Sequence, residues 1–192
     1  MRQWLKALPK RERNIIGADI MTVQFRWPLG MPLVDNLGVG IWEIRSKLPT
    51  RIARVLFFVK DEELILLHGF IKKTQKTLPE DRALALKQKM PSSKAAKNRN
   101  KHRGSSFRDF LEEDGILEEV EAAALKRALA LKVADLMEKR DLNRTTMAVQ
   151  MRTSRAAINR ILDPENTSVT LTTLSKVAKS LGRKLKIDLV PA

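Results

Sequence analysis

Residues 40–71, GIWEIRSKLPTRIARVLFFVKDEELILLHGFI, decide the fold of the front half of this chain. Residues 40–48 alternate between two faces, with Ile41, Glu43, Arg45 and Lys47 on one and Trp42, Ile44, Ser46 and Leu48 on the other. A period of two is typical of a half-buried strand. Residues 51–60 and 64–71 are two more strand-like runs, joined by a tight acidic turn. Three strands in succession predict an antiparallel meander.

Helical spacing of apolar residues surrounds this region. Residues 1–23 have it with an interruption at Pro9, which predicts two short helices, and residues 79–89 predict another. Beyond residue 106 the pattern is helical, with an apolar stripe formed by Leu125, Leu129, Val133, Leu136 and Met137. Short helices are predicted at 143–151, 153–162 and 170–181, and a terminal strand at 185–189. The fold class is therefore α+β, with a small antiparallel sheet and helices first and an all-α domain second.

Charge and composition limit the class of partner. The formal net charge is +15, and both sides of Met90 carry an excess of basic residues, which favours an anionic partner such as nucleic acid. Charge alone does not separate nucleic acid from an anionic membrane surface. The absence of cysteine excludes disulfides and thiolate metal sites and fits a cytoplasmic protein. No apolar run approaches the ~20 residues of a membrane helix, so no membrane association is expected.

Residues 91–106, PSSKAAKNRNKHRGSS, contain five Lys or Arg, no acid and no large apolar residue. This composition predicts a linker between two domains, 1–90 and 107–192. The linker is either a solvated tether or a basic arm that contacts phosphate.

Five basic residues lie on or just beyond the three predicted strands: Arg45, Arg54, His68, Lys72 and Lys73. RNA cleavage requires deprotonation of a 2′-hydroxyl, stabilisation of a pentacoordinate phosphate and protonation of the leaving 5′-oxygen. Arginine and lysine can stabilise the phosphate, and lysine or histidine can move protons. This route needs no metal or cofactor, and the scattered carboxylates form no obvious metal cluster. The alternative is a solvated strand end with ordinary surface charge.

The region 143–181 has the spacing of short helices that cross steeply. Such a pair needs a small residue where the backbones meet, here Ala148, and buried apolar residues, here Met147, Met151, Ile158 and Ile161. Candidate DNA-binding residues then face outward: Thr153, which is also predicted to cap the second helix, Ser154, Arg155, Asn159 and Arg160. Arginine and asparagine pair with guanine and adenine edges. The alternative is a plain helical bundle with a charged face.

The sequence from Leu33 to Thr77 resembles the RelE/HigB toxin superfamily, in particular its phage-derived Gp49-like branch. The runs that carry the resemblance are PLVDNLGVGIWEIRSKL, RIARVLFFV and LILLHGFIKKTQKT. The resemblance implies a compact sheet with two helices and a metal-independent, ribosome-dependent mRNA endonuclease. It also implies that Arg45 and Arg54 hold the scissile phosphate, that Lys72 and Lys73 assist, and that His68 carries a proton. The chain has no tyrosine, so Phe70 or Trp42 would stack on a base. It enters its first helix at Arg2, so the family's first strand is missing from this sequence.

The back half resembles the Xre/Cro-repressor family, which is lambda-repressor-like, with TTMAVQM as scaffold helix and TSRAAINRIL as recognition helix. The family commonly has glycine in the turn where this chain has Arg152, so the turn must accommodate a side chain, and a left-handed conformation is one solution. Residues 107–192 are thus similar to a HigA-type antitoxin. The resemblance implies operator DNA as a partner and a homodimer.

Two hypotheses follow. The first is a toxin–antitoxin fusion, in which the antitoxin half binds the toxin half in cis or in trans and represses its own promoter. The acidic residues of 107–121 would then cover the basic catalytic face, or they merely begin a helix. The second hypothesis is a DNA-binding transcriptional repressor whose toxin domain is degenerate and inactive.

Overall fold

The computed structural model of the protein describes residues 1–72, 79–89, 106–166 and 168–187. They belong to two compact units, Met1–Ala124 and Leu125–Ala192. The first contains a four-stranded antiparallel sheet with helices and the second is helical, so the predicted α+β class is confirmed. All of the predicted linker except Ser106 lies outside the described residues. In the part of the chain that is described, no helix is long and apolar enough to cross a membrane.

The sheet is a meander in the order β1-β2-β3-β4. The three predicted strands are confirmed as β2 (Ile41–Lys47), β3 (Ile52–Lys60) and β4 (Glu63–Ile71). A strand that the sequence did not predict, β1 (Val34–Gly38), pairs with β2. Its sequence VDNLG has few strand-forming residues, so the strand depends on the backbone hydrogen bonds that β2 offers.

One face of the sheet holds the main core of the first unit. Helices α1 (Arg2–Lys6) and α2 (Lys10–Arg26), separated at Pro9 as predicted, pack there. Their buried side chains meet those of the inward-facing strand residues Ile44, Val55 and Phe57. Trp4 of α1 lies over β4, and a Cβ added at Gly69 would clash with its indole ring.

The same core includes residues beyond the predicted linker. Helix α4 (Phe107–Glu113) begins at Ser106, whose hydroxyl accepts hydrogen bonds from two backbone amides of the first turn, and α5 (Leu117–Glu138) follows. Five side chains of the two helices and the turn between them are buried in this core: Phe110, Leu111, Ile116, Val120 and Ala124. Helix α5 packs closely on α2 at Gly17, where an added Cβ would lie only 3.2 Å from Val120. Residues 106–124 therefore complete the hydrophobic core of the sheet unit.

The opposite face of the sheet carries a smaller apolar cluster. Helix α3 (Pro79–Lys89), which matches the predicted helix, contributes Ala85 and Leu86. They meet Ile41, Leu56 and Leu67 of the strands. Leu67 is placed there by a bulge in the pairing of β3 with β4. This face is therefore only partly apolar, and Glu43, Arg45 and Arg54 also lie on it.

The second unit contains the rest of α5 with α6 (Arg144–Gln150), α7 (Arg155–Leu162) and α8 (Leu171–Ser180), close to the predicted helices. The predicted inward residues are buried, namely Met147, Ala148, Met151, Ile158 and Ile161. Residues 183–187 are not a strand in the structure, and Leu189 of the predicted terminal strand lies outside the described residues.

The turn between α6 and α7 accommodates an arginine in the left-handed region, since Arg152 has φ 49°. This is the solution that the sequence left open. The prediction that Thr153 caps α7 is wrong. The cap is Ser154, whose hydroxyl accepts a hydrogen bond from the amide of Ala157 at 3.1 Å. Both residues have side chains that could cap a helix, and the turn geometry places Ser154 at the boundary.

Candidate nucleic-acid sites

Three of the predicted site residues share the partly apolar face of the sheet. Arg45 of β2 pairs with Arg54 of β3, which pairs with Phe70 of β4. His68 is opposite Leu56, which is opposite Glu43. Residues directly opposite each other in an antiparallel sheet point to the same side. The structure thus brings Arg45, Arg54 and His68 to one face, opposite the main core.

The two arginines are held by carboxylates. Glu43 bridges them, because its Oε1 accepts from Arg45 Nε at 2.7 Å and its Oε2 accepts from Arg54 Nη1 at 3.1 Å. Arg45 also forms an ion pair with Asp35 of β1. Glu43 is 0% exposed and Arg54 is 3% exposed, whereas the side chains of Arg45 and Asp35 are 28% and 36% exposed. The positive charge of the two arginines is therefore balanced by two acids on the same face.

Arg54 is consequently poorly placed to meet a ligand directly. Its guanidinium is buried and bonded to Glu43, so a phosphate could reach it only after that buried ion pair opened. Opening a buried pair leaves an uncompensated charge and is costly. Arg45 is the more accessible of the two cations.

The aromatic candidates fall on different faces. The rings of His68 and Phe70 are stacked, with centroids 5.6 Å apart and planes 22° apart. Trp42 packs edge-on against Trp27 at 4.9 Å and contributes to the main core. Of the two predicted base-stacking residues, only Phe70 therefore lies beside the arginines.

The two lysines of the predicted site follow β4. The Lys72 amide donates to the Ile52 carbonyl at 2.8 Å, which extends the strand pairing by one residue. Alternation then places Lys72 on the same side as Phe70 and His68. Lys73 lies outside the described residues.

The sequence-based prediction missed the two carboxylates, Glu43 and Asp35. A signal for Glu43 was available, since the alternation of β2 puts it on the same face as Arg45. Asp35 could not be found in this way, because β1 itself was not predicted. Among the described residues, no group of three histidines and carboxylates is placed to hold a metal ion.

The acidic segment 107–121 does not cover this face, and that expectation is wrong. Asp114 accepts from Arg13 Nε at 2.8 Å, Glu119 accepts from Asn14 at 2.6 Å, and Glu113 pairs with Arg2. These partners belong to α1 and α2, which pack on the other side of the sheet. The segment packs on that side because burial of Phe110, Leu111 and Val120 completes the hydrophobic core there.

In the second unit, α7 presents a polar surface. All five predicted DNA-binding residues are exposed: Thr153, Ser154, Arg155, Asn159 and Arg160. The Asn159 side-chain oxygen accepts from Arg144 of α6 at 3.0 Å. The opposite side of α7 is fixed in the core by Ile158 and Ile161, which are at most 2% exposed. The exposed residues are thus carried by a helix whose rotation is set by packing.

A buried lysine holds the C-terminal end of α7. Lys126 of α5 is 6% exposed, and its Nζ donates to the carbonyls of Ile161 at 2.9 Å and of Asp163. A cation at this end also offsets the negative end of the helix dipole. Burial lowers the pKa of Lys126.

Comparison with known proteins identifies the front of the chain. Residues 3–90 match the family described as phage-derived protein Gp49-like. No curated protein and no solved structure matches the chain significantly. The match covers all four strands and helices α1 to α3, except the first residue of α1. Over residues 3–90 this chain is therefore similar to the phage-derived Gp49-like family.

Proposed function

We propose that the Gp49-like domain is the toxin of a toxin–antitoxin system and cleaves mRNA on the ribosome without a metal. The observation that carries the proposal is the family match over residues 3–90, on a domain in which one sheet face groups the half-buried side chains of Arg45, His68 and Phe70. An arginine can stabilise the pentacoordinate phosphate and a histidine can carry a proton, which are tasks that cleavage of RNA by its 2′-hydroxyl requires, and an aromatic ring can hold a base by stacking.

Each residue has a separate role in this proposal. Arg45, with Lys72 and Lys73, binds the scissile phosphate and stabilises the charge that develops on it. His68 accepts the proton of the 2′-hydroxyl as this oxygen attacks phosphorus, and returns a proton to the 5′-oxygen as the P–O5′ bond breaks. Phe70 stacks on a base. Arg54, which the resemblance assigned to the phosphate, acts through Glu43 by holding the carboxylate that orients Arg45.

Induced expression in a bacterial host tests the toxin. Because residues 106–124 complete the core, the fragment to compare with the full chain is Met1–Ala124 rather than 1–90. We expect growth arrest and cleavage of translated mRNA by the fragment, and loss of both in Arg45→Gln. Arg51→Gln is the matched control, since Arg51 is an exposed arginine that pairs with Glu12 of α2. Cleavage by the purified fragment should require ribosomes and persist in a chelator.

No arrest by a folded Met1–Ala124 fragment would contradict the toxin activity. It would favour a second candidate function, a transcriptional repressor whose toxin domain is inactive. Arrest that survives Arg45→Gln would instead remove Arg45 from the site.

We further propose that residues 143–181 form a helix-turn-helix that binds operator DNA as a homodimer and represses the promoter of its own gene. Residues 107–192 would then serve as the antitoxin of the domain in front of them. Support comes from α7, whose exposed Arg155, Asn159 and Arg160 lie opposite its buried isoleucines. The N-terminal part of such a helix enters the major groove, where arginine and asparagine read bases.

Binding to DNA from upstream of its own coding sequence tests this part. Arg155→Ala or Asn159→Ala should weaken binding by about 1–3 kcal/mol and relax sequence preference. Lys132→Ala is the control for the loss of one positive charge, since Lys132 is an exposed lysine of α5. Equal losses on random DNA for Arg155→Ala and Lys132→Ala would count against base reading.

A further inference from the structure

Four charged side chains form a continuous network across β1, β2 and β3. Asp35 pairs with Arg45, Arg45 with Glu43, and Glu43 with Arg54. Two positive and two negative charges balance each other in this network. An anion that approaches this face therefore finds both arginines already paired with carboxylates.

The network has a buried inner pair and an accessible outer pair. Glu43 and Arg54 are at most 3% exposed, so separating them would leave a buried charge uncompensated. Arg45 and Asp35 are about a third exposed, so water can solvate both if they separate. Ion pairs of this exposed kind contribute little to stability. The outer pair is therefore the one that a ligand can open.

The donors of Arg45 point to three different partners. Nε donates to the inner carboxylate of Glu43 at 2.7 Å, Nη2 faces Asp35, and Nη1 lies 3.4 Å from the sulfur of Met31. A thioether is a weak acceptor, and the Met31 side chain is 61% exposed. Displacement of Asp35 and Met31 would leave Nη1 and Nη2 available together while Glu43 still orients the guanidinium. Two such donors match a pair of phosphate oxygens.

We propose that Asp35 is an internal competitor that occupies the phosphate-binding position of Arg45 and is displaced when a phosphate group binds. This inference rests on the proposed function, in which Arg45 contacts RNA phosphate. Asp35 then sets how tightly the face binds phosphate, and Glu43 keeps Arg45 in the binding orientation during the exchange.

Titration of the full chain with inorganic phosphate tests the inference. The readout is the side-chain Nε–H resonance of Arg45 in a nitrogen-15 NMR spectrum, assigned by its loss in Arg45→Lys, at constant ionic strength. Asp35→Asn should lower the Kd for phosphate about two- to fivefold, the effect of removing one partly exposed ion pair. Asp61→Asn, in the β3–β4 turn, makes the same charge change and should leave the Kd unaltered.

An unchanged or weaker phosphate affinity in Asp35→Asn would overturn the inference, and so would an Arg45 resonance that does not respond to phosphate. Asp35→Ser is measured in parallel, and tryptophan fluorescence establishes that each variant is folded. The mRNA cleavage assay separates the two proposals. A lower Kd for phosphate in Asp35→Asn without mRNA cleavage would overturn the toxin activity alone. Cleavage with an unchanged Kd would overturn the role of Asp35 alone.

Discussion

Replacement of Phe110 by alanine tests whether residues 106–124 belong to the core of the sheet unit. The ring is 3% exposed in the main core, stacks on Phe107 at 6.0 Å, and has the guanidinium of Arg2 5.5 Å from its centroid. Removal of a buried phenylalanine side chain costs about 3–5 kcal/mol. Since domains are stable by only about 5–15 kcal/mol, Phe110→Ala should remove a large part of the free energy of unfolding.

Tryptophan fluorescence during urea unfolding measures this loss in the right part of the chain. The three tryptophans, Trp4, Trp27 and Trp42, all lie in the first unit, and the chain has no tyrosine. The matched control is Phe25→Ala, in which a 43% exposed ring is removed from α2, with an expected cost below about 1 kcal/mol.

Equal transition midpoints for Phe110→Ala and Phe25→Ala would refute the reasoning. Residues 106–124 would then be independent of the sheet, as the sequence-based boundary at residue 107 supposed. A large shift would explain why a fragment ending at residue 90 should be less stable than Met1–Ala124.

Three further changes test the interior of the two units. Glu43→Gln should destabilise the first unit by about 3–5 kcal/mol in the tryptophan-monitored transition, because it removes a buried charge from between two arginines; a loss below about 1 kcal/mol would contradict the bridging role. Ser46→Ala should be neutral or stabilising by up to about 1 kcal/mol, since the buried Ser46 hydroxyl makes no hydrogen bond within the described structure, and a clear loss would reveal a partner. Lys126→Met should cost about 1–3 kcal/mol in unfolding followed by far-UV circular dichroism, because the carbonyls at the end of α7 lose their donor. Burial lowers the pKa of Lys126 below 10.5, so between the pKa of the folded state and 10.5 the unfolded chain binds more protons at this residue than the folded chain does. The stability of the wild type relative to Lys126→Met should therefore grow as pH rises through that interval. A stability difference that does not change with pH would argue against the lowered pKa.

Local patterns predicted most secondary structure. The alternation in 40–48 and the two strand-like runs after it correspond to β2, β3 and β4 within one residue at each end, and Pro9 separates α1 from α2. The pattern failed for β1, because a short edge strand is stabilised by pairing rather than by its own residues. It also failed at the cap of α7, where Thr153 and Ser154 are chemically equivalent candidates and only the turn geometry distinguishes them.

The site was predictable in part. Basic residues on neighbouring strands pointed to one charged face, which the strand register confirms for Arg45, Arg54 and His68. The ion pairs of the two arginines and their access to solvent were not predictable, since Glu43 lies opposite Leu56 and reaches Arg54 diagonally across the sheet. That contact depends on the register between strands, which a one-dimensional pattern does not contain.

The sequence by itself determined most of the elements, the class of fold and the similarity of residues 3–90 to the Gp49-like family, because periodicity and local residue order are carried along the chain. Only the tertiary structure decided which surfaces meet. An amphipathic segment such as 107–124 specifies an apolar face but not its partner, and the acids beside that face suggested the basic sheet surface. The segment packs against α2 instead, with Leu111 and Val120 beside Gly17 and Phe110 in the same core. Burial of these apolar side chains stabilises the fold more than exposed ion pairs with the sheet would.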